Sequence, residues 1–427
     1  MSNNLFKNID LLGGRAVDPK SGIDKVLDLF IRKGKIYHQP PDSSQADKVY
    51  HLKGHTVLPG LLDLRSHNRV PGAGKSENIE TLTKAAARGG FSSILTMPDT
   101  NPYSDNPATI RYIQDRIKQT AKVNVYLSGC LTIGSRGESI APLGSLKDVG
   151  VVAVTDCPYT AANNQIFTNA IKYAKMFGLT VIDFPQDSFL SNNSHAHESP
   201  LSLKMGLAGN PRMAEEIAVE RSIIIARHLG VPIHLSSISS SGSVNLIKKA
   251  KDIGIPITAD VSAHHLLLTE EAISDYNTSA KTNPPLRQES DRSALREGII
   301  NGIIDACSSS HEPYSDHLKD VEFDLAPSGT TGLETALLAF MEAVNLEDPY
   351  PMVVEKLCDN PHIILGISPP SLKDGSSANL AVVKNNESWQ YDPLNGESLS
   401  HNSPLKDHIF THKVILTLCD GVVAYSN

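Results

Sequence analysis

Histidine, arginine and carboxylate side chains gather at the ends of short apolar runs in this chain. Asp63 lies within the run VLPGLLDL, and Arg65, His67 and Arg69 follow it. Asp99 follows FSSILTM, and Asp156 and Cys157 follow VGVVAVT. Asp183 and Phe184 end LTVIDF, with Asp187 beyond, and His234 and Ser237 belong to PIHLSS. His264 and His265 follow IPITADV, and Ser310, His311, Glu312 and Tyr314 follow GIIDACS. Imidazole and carboxylate hold divalent ions and move protons, so metal-assisted hydrolysis and acid/base chemistry are the classes to weigh. Simpler roles compete. His264 and His265 read as neighbours on a strand, which point to opposite faces and so serve structure. His234 is expected to pack or hydrogen-bond inside the fold. The serine-rich SSISSSGS lacks a nucleophile elbow and reads as a helix cap. Ser310 and His311 are too close in sequence to form a productive dyad.

These residues need a scaffold. Between the apolar runs lie helical patterns such as ENIETLTKAAARGG, NPATIRYIQDRIKQT and RMAEEIAVERSIIIARHLG, where a basic last turn and then Gly mark the stop. Strand–helix alternation of this kind predicts a parallel sheet closed as a (β/α)8 TIM barrel, with an open doubly wound sheet as the structural rival. In a barrel, side chains just past the strand ends meet at one mouth. Both ends of the chain have a different, hairpin-like β texture, as in VLDLFIRKGKIY and HKVILTLCDGVVAY. We therefore expect residues 1–58 and 351–427 to share one small β-sandwich, the latter after a helix, around a barrel at 59–350.

Composition narrows the class. The 427 residues carry 39 Lys+Arg against 47 Asp+Glu, a net charge of −8 without a basic cluster, which argues against nucleic acid or an anionic membrane as partner. No apolar run is long enough for a membrane span, and MSNNLFKNID does not read as a secretory leader. The five Cys form no CxxC pair and read as reduced core thiols, so a cytoplasmic location is expected.

The segments PGLLDLRSHNRVPG, AAARGGFSSILTMPDTNP, AHESPLSLKMGLAGNPRMAEE, AHHLLLTEEA, KTNPPLRQESDRSAL and FDLAPSGTTGLETALL occur in an order that spans the chain. Together they resemble the type I dihydroorotases, cyclic amidohydrolases of the amidohydrolase superfamily. The resemblance implies a metal-dependent barrel with a composite β-sandwich, in which a metal-bound hydroxide attacks the cyclic amide of dihydroorotate.

Against that pattern the metal site looks dismantled. The HxH pair reads Arg65-Ser66-His67, and the strand-four carboxylate Asp156 is followed by Cys157 in place of a second Asp. The strand-five ligand His is Phe184, the strand-six ligand is Ser237, and the acid/base Asp of DHAPH is Ser310. Of the ligand positions, only His67 and Asp156 are retained, so no metal is expected; zinc would enter only if the chain were an active enzyme using one unforeseen ligand such as His264 or His311. The substrate pocket survives in outline. Arg69 matches the carboxylate-binding Arg, Asn283 the ring-contacting Asn, Asp99 replaces an Asn, and Tyr314 replaces the last His of DHAPH. The resemblance is closest to inactive homologues that act as assembly partners of the aspartate transcarbamoylase catalytic chain, which implies an oligomer. The alternatives are an active cyclic amidohydrolase with a reduced metal site, and a non-catalytic binder of a pyrimidine-like ligand. With the metal gone, an Arg65–Asp156 ion pair is expected, with Phe184 filling the space beside it.

Overall fold

The computed structural model describes residues 8–41, 43–159 and 163–427. Eight parallel strands form the barrel, and each coincides with one of the apolar runs: Leu61–Ser66, Phe91–Thr96, Asn124–Cys130, Ala153–Thr155, Thr180–Asp183, Ile233–Leu235, Ile257–Ser262 and Ala306–Ser308. The open-sheet rival is excluded at the seam. There His67 N donates to His311 O at 2.8 Å and His311 N to Arg65 O at 3.1 Å, which joins the first strand to the chain leaving the eighth.

Helices between the strands start and stop where side-chain chemistry allows. Asn78 caps the helix Ile79–Arg88 through Thr81 N, while the Thr81 hydroxyl accepts from Asn78 N, a reciprocal pair that satisfies two free amides. Ser240 caps Ser241–Asp252 by accepting from Ser243 N, so the serine-rich stretch is a cap as expected. Gly230 ends Arg212–Leu229 in the left-handed region. The buried faces of these helices and the outer faces of the strands form the main core. Inside the barrel Leu62, Leu64, Leu95, Met97, Ile182 and Phe184 make a second apolar layer below the mouth.

The strands of both chain ends lie in one mixed sheet. Its order is Val422–Ser426, Lys413–Cys419, Leu380–Lys384, His55–Pro59, Ile9–Asp18, Ile23–Arg32 and Lys35–Tyr37, with Lys48–His51 also paired to Ile9–Asp18. C-terminal Val382 sits opposite N-terminal Val57, so the two ends are interleaved. The run VLPGLLDL is divided between the sheets: Pro59 ends a terminal strand and Leu61 begins the barrel. The intervening Gly60 has no room for a side chain, since a Cβ there would lie 2.1 Å from Ser92 Oγ.

Candidate functional site at the barrel mouth

The first strand does not keep a simple alternation. Leu62 and Leu64 face the barrel interior, yet Arg65 and His67 both reach the mouth, because the pairing with the second strand shifts register between Asp63 and Ser66. Arg65 is only 1% exposed. Its Nη1 donates to Ser237 Oγ at 2.5 Å and its Nη2 to Asn283 O at 3.2 Å, with Glu312 Oε2 at 3.9 Å. The guanidinium carbon lies 4.8 Å from the centroid of the Phe184 ring, so Phe184 does fill the space beside Arg65.

Arg69 completes a second ion pair. Its Nη1 donates to Asp99 Oδ2 at 2.9 Å, its Nη2 to Glu312 Oε1 at 3.5 Å and its Nε to Pro313 O at 3.2 Å, above the Tyr314 ring. Tyr314 in turn donates its hydroxyl proton to Glu312 Oε1. His67 Nδ1 donates to the same Asp99 oxygen at 2.8 Å, while His67 Nε2 accepts from Arg65 Nε at 3.4 Å. Two guanidiniums thus face two carboxylates around one imidazole. Burial works against ionised Asp99, but His67 and Arg69 outweigh it and bring its pKa down to about 2.

The expected Arg65–Asp156 pair is corrected by this geometry. Asp156 accepts from Thr132 N at 2.9 Å and Thr132 Oγ1 at 2.6 Å, just past the end of the neighbouring third strand, and Arg65 turns to Glu312 instead. Burial raises the Asp156 pKa, which the Thr132 bonds oppose. The carboxylate that answers Arg65 was therefore Glu312, which sequence reasoning left without a role. Its signal was two arginines at the first strand end and one acidic residue at the last.

The histidine pair is also corrected. Ser262 ends the strand, and His264 and His265 lie in the short helix Ala263–Leu267, not on opposite strand faces. Both are buried and burial lowers both pKa values, that of His265 to about 3. His265 bonds to Ser262 Oγ and Pro285 O, a structural role. His234 bridges Thr258 and Asp260 inside the barrel. His311 Nδ1 accepts from Gly332 N and its Nε2 faces Glu77, so it does not pair with Ser310. Ser310 Oγ is instead 3.4 Å from Ser237 Oγ. Ser237 (φ 61°) and Ser310 (φ 46°) both hold left-handed backbone that non-glycine residues avoid, a strain concentrated at functional sites.

His67, Asp99 and Glu312 offer donor atoms within 4.8 Å of one another, and Asp99 Oδ1 has no partner among the described residues. The donor set still does not fit a divalent ion. The Nε2 lone pair of His67 is engaged by Arg65, and each carboxylate already meets a guanidinium. Arg cannot lose its proton here, and a unit charge about 4 Å from a dication costs about 8 kcal/mol at moderate dielectric. Nor does Cys157 offer a thiolate, since burial pushes its thiol up to about 12.

The chain is 40% identical over 414 residues to a dihydroorotase of Pelotomaculum thermopropionicum, covering 96% of this chain and 97% of that one. It belongs to the dihydroorotase family. A dihydroorotase of Geobacter sp. strain M21 is 37% identical, over 98% of this chain and 99% of the relative. The family model described as Dihydro-orotase-like matches residues 54–243, which holds the first strand end through the sixth. Among solved structures, an L-hydantoinase (dihydropyrimidinase) from Arthrobacter aurescens superposes with a TM-score of 0.85 at 21% identity, covering 98% of this chain and 96% of that one. Dihydropyrimidinase from Brevibacillus agri NCHU1002 gives 0.84 at 19% identity, over 98% and 95%. The fold is that of these cyclic amidohydrolases, and family membership makes this a dihydroorotase-like protein of pyrimidine biosynthesis.

Proposed function

We propose that this chain is a non-catalytic dihydroorotase-family protein that serves as an assembly partner of the aspartate transcarbamoylase catalytic chain. One observation carries the non-catalytic reading: Arg65 and Arg69 are locked against Glu312 and Asp99 where the family resemblance puts the metal and the substrate carboxylate. Ser310, at the acid/base position, has no carboxylate with which to exchange a proton. The guanidinium of Arg69 is already neutralised, so an incoming carboxylate would have to displace Asp99 from it. The partner comes from the family resemblance. An exposed apolar stripe on the helix Arg212–Leu229 (Met213, Ile217 and Ile224) is the kind of surface that assembly requires.

The test has two parts. The purified chain should hold far less than one zinc ion per molecule and give no detectable interconversion of dihydroorotate and carbamoyl aspartate. Mixed at micromolar concentration with aspartate transcarbamoylase from the same cell, it should elute as a complex larger than either component. Separate elution of two folded proteins removes the assembly role. An active enzyme with a reduced metal site is the alternative, and it would require zinc to displace Arg65 from His67 Nε2. Stoichiometric zinc with turnover would establish it.

A further inference from the structure

The helices Asn164–Met176 and Arg212–Leu229 lie side by side on the outer wall of the barrel. Arg221 is seated over the Phe167 ring at 4.8 Å, which sets their relative register. Between them runs a groove of about 590 Å³, walled by Met213, Ile217, Ile224 and Ile225. Met213 and Ile217 are each 51% exposed and Ile224 45%, on a face where a solvated helix carries polar side chains. Met176 continues the apolar strip at the end of the first helix, 76% exposed. Apolar side chains gathered on one face in this way mark an interaction surface. Charge along the groove is polarised. Glu216 and Glu220 line the half nearer the barrel mouth, whereas Lys172, Lys175 and Arg227 lie toward the strand starts. Glu220, Lys172, Lys175 and Arg227 are exposed and make no ion pair among the described residues.

We infer that this groove is a dimer face, through which two copies of this chain pack their Arg212–Leu229 helices antiparallel about a two-fold axis at Ile224. A partner of one sign answers only one half of the groove. A copy of the same face turned end for end answers both, because the axis reverses its polarity. The spacing agrees. Glu220 stands one turn before Ile224 and Arg227 about one turn after it, so the axis sets each Glu220 toward Arg227 of the other copy. Ile224 then meets its own copy. The same axis carries Ile217 toward Met176 of the second copy, since the Phe167–Arg221 contact puts Met176 level with Gly230. The stripe that suits assembly is thereby assigned to self-association. This is a property of the chain alone, so it goes beyond the assembly role without resting on it.

Sedimentation equilibrium of the full chain alone should show a dimer at about 10 μM. Ile224→Glu places two carboxylates at the axis and should weaken the dimer at least about hundredfold, with unchanged circular dichroism because the side chain is exposed. Glu220→Lys and Arg227→Glu each set like charges against one another at both ends of the face. Each variant alone should dimerise about tenfold more weakly. An equimolar mixture of the two should restore the dimer, because the introduced lysine meets the introduced glutamate and the native Glu220 meets the native Arg227. If Ile224→Glu does not fold, the mixture decides alone. A chain that stays monomeric at about 100 μM overturns the inference. So does a dimer that survives in folded Ile224→Glu, or a mixture no more associated than either charge variant by itself. Aspartate transcarbamoylase is absent from every sample, so failure here and failure of the assembly role are read separately.

Discussion

Arg69 shows how a buried cation can be committed entirely to partners within its own fold. Its guanidinium bridges Asp99 and Glu312 with 9% of the side chain exposed, so it works as the counter-charge of two buried carboxylates. Removing it leaves both carboxylates short of positive charge. Arg69→Ala should therefore destabilise the fold by about 3–5 kcal/mol, measured by chemical denaturation. Arg69→Lys should recover only part of this, because an ammonium cannot span Asp99, Glu312 and Pro313 O as the planar fork does. A loss below about 1 kcal/mol for Arg69→Ala would mean that the pairs are no better than surface ones. The pKa of Asp99 gives a second expectation. It is lowered to about 2 in the folded chain from an ordinary value of 3.8. Ionised Asp99 thus favours the native state above pH of about 4, by about 2 kcal/mol, and this is lost as pH falls through about 2. Asp63 works in the opposite sense: burial raises it to about 6, so its ionisation costs stability as pH rises from about 4 to 6. The part of an acid-unfolding curve below pH 4 should accordingly flatten in Asp99→Asn.

At the scale of elements, the mouth depends on a break in the first strand and a ring at the end of the fifth. The register shift between Asp63 and Ser66 brings Arg65 and His67 to the mouth while Leu62 and Leu64 stay in the interior layer. Phe184 closes that layer and supports Arg65. Phe184→Ala should cost about 3–5 kcal/mol through the cavity it leaves. Phe184→His or Ser310→Asp alone should not bring zinc into the purified chain, since Arg65 still engages His67 Nε2. The helix Ile79–Arg88 turns into the second strand through Gly89, where a Cβ would lie 2.0 Å from Leu333 O. That contact is with backbone and cannot swing away. Gly89→Ala should therefore lower stability by about 1–3 kcal/mol.

Across the whole molecule, stability and the mouth are largely separate. The helix–strand core and the terminal sheet hold most of the apolar burial, and neither requires a metal. The proposed loss of metal ligands at Arg65, Phe184, Ser237 and Ser310 is therefore compatible with a chain that still closes its barrel. The terminal sheet is the element that ties the two ends together. Deleting residues 413–427 would remove two strands and leave Leu380–Lys384 as an edge, uncovering Leu380 and Val382. We expect such a truncation to aggregate or to bind a hydrophobic dye, while the barrel strands keep their far-ultraviolet signal.

The sequence by itself determined a parallel sheet of eight strands covered by helices, because β runs alternating with capped helices leave few other ways to bury both faces. Closure into a barrel was decided at the seam between the first and eighth strands. The sequence also carried the expectation, drawn from the family resemblance, that Arg65, Phe184, Ser237 and Ser310 stand where metal ligands and an acid/base would be. The partners of those residues were decided only by the tertiary structure. Asp156 is adjacent to the mouth in the sequence pattern, but Thr132 lies nearer to it, and Glu312, distant in sequence, is brought beside Arg65 by the seam between the eighth and first strands. His264 and His265 read as strand residues until the strand stopped at Ser262 and a helical turn took over. In each case periodicity gives the direction of a side chain only while the element stays regular. At strand ends, where the chemistry is placed, a bulge, a turn or a closer hydrogen-bond donor redirects it, and electrostatic pairing depends on distances across the barrel that sequence separation does not encode.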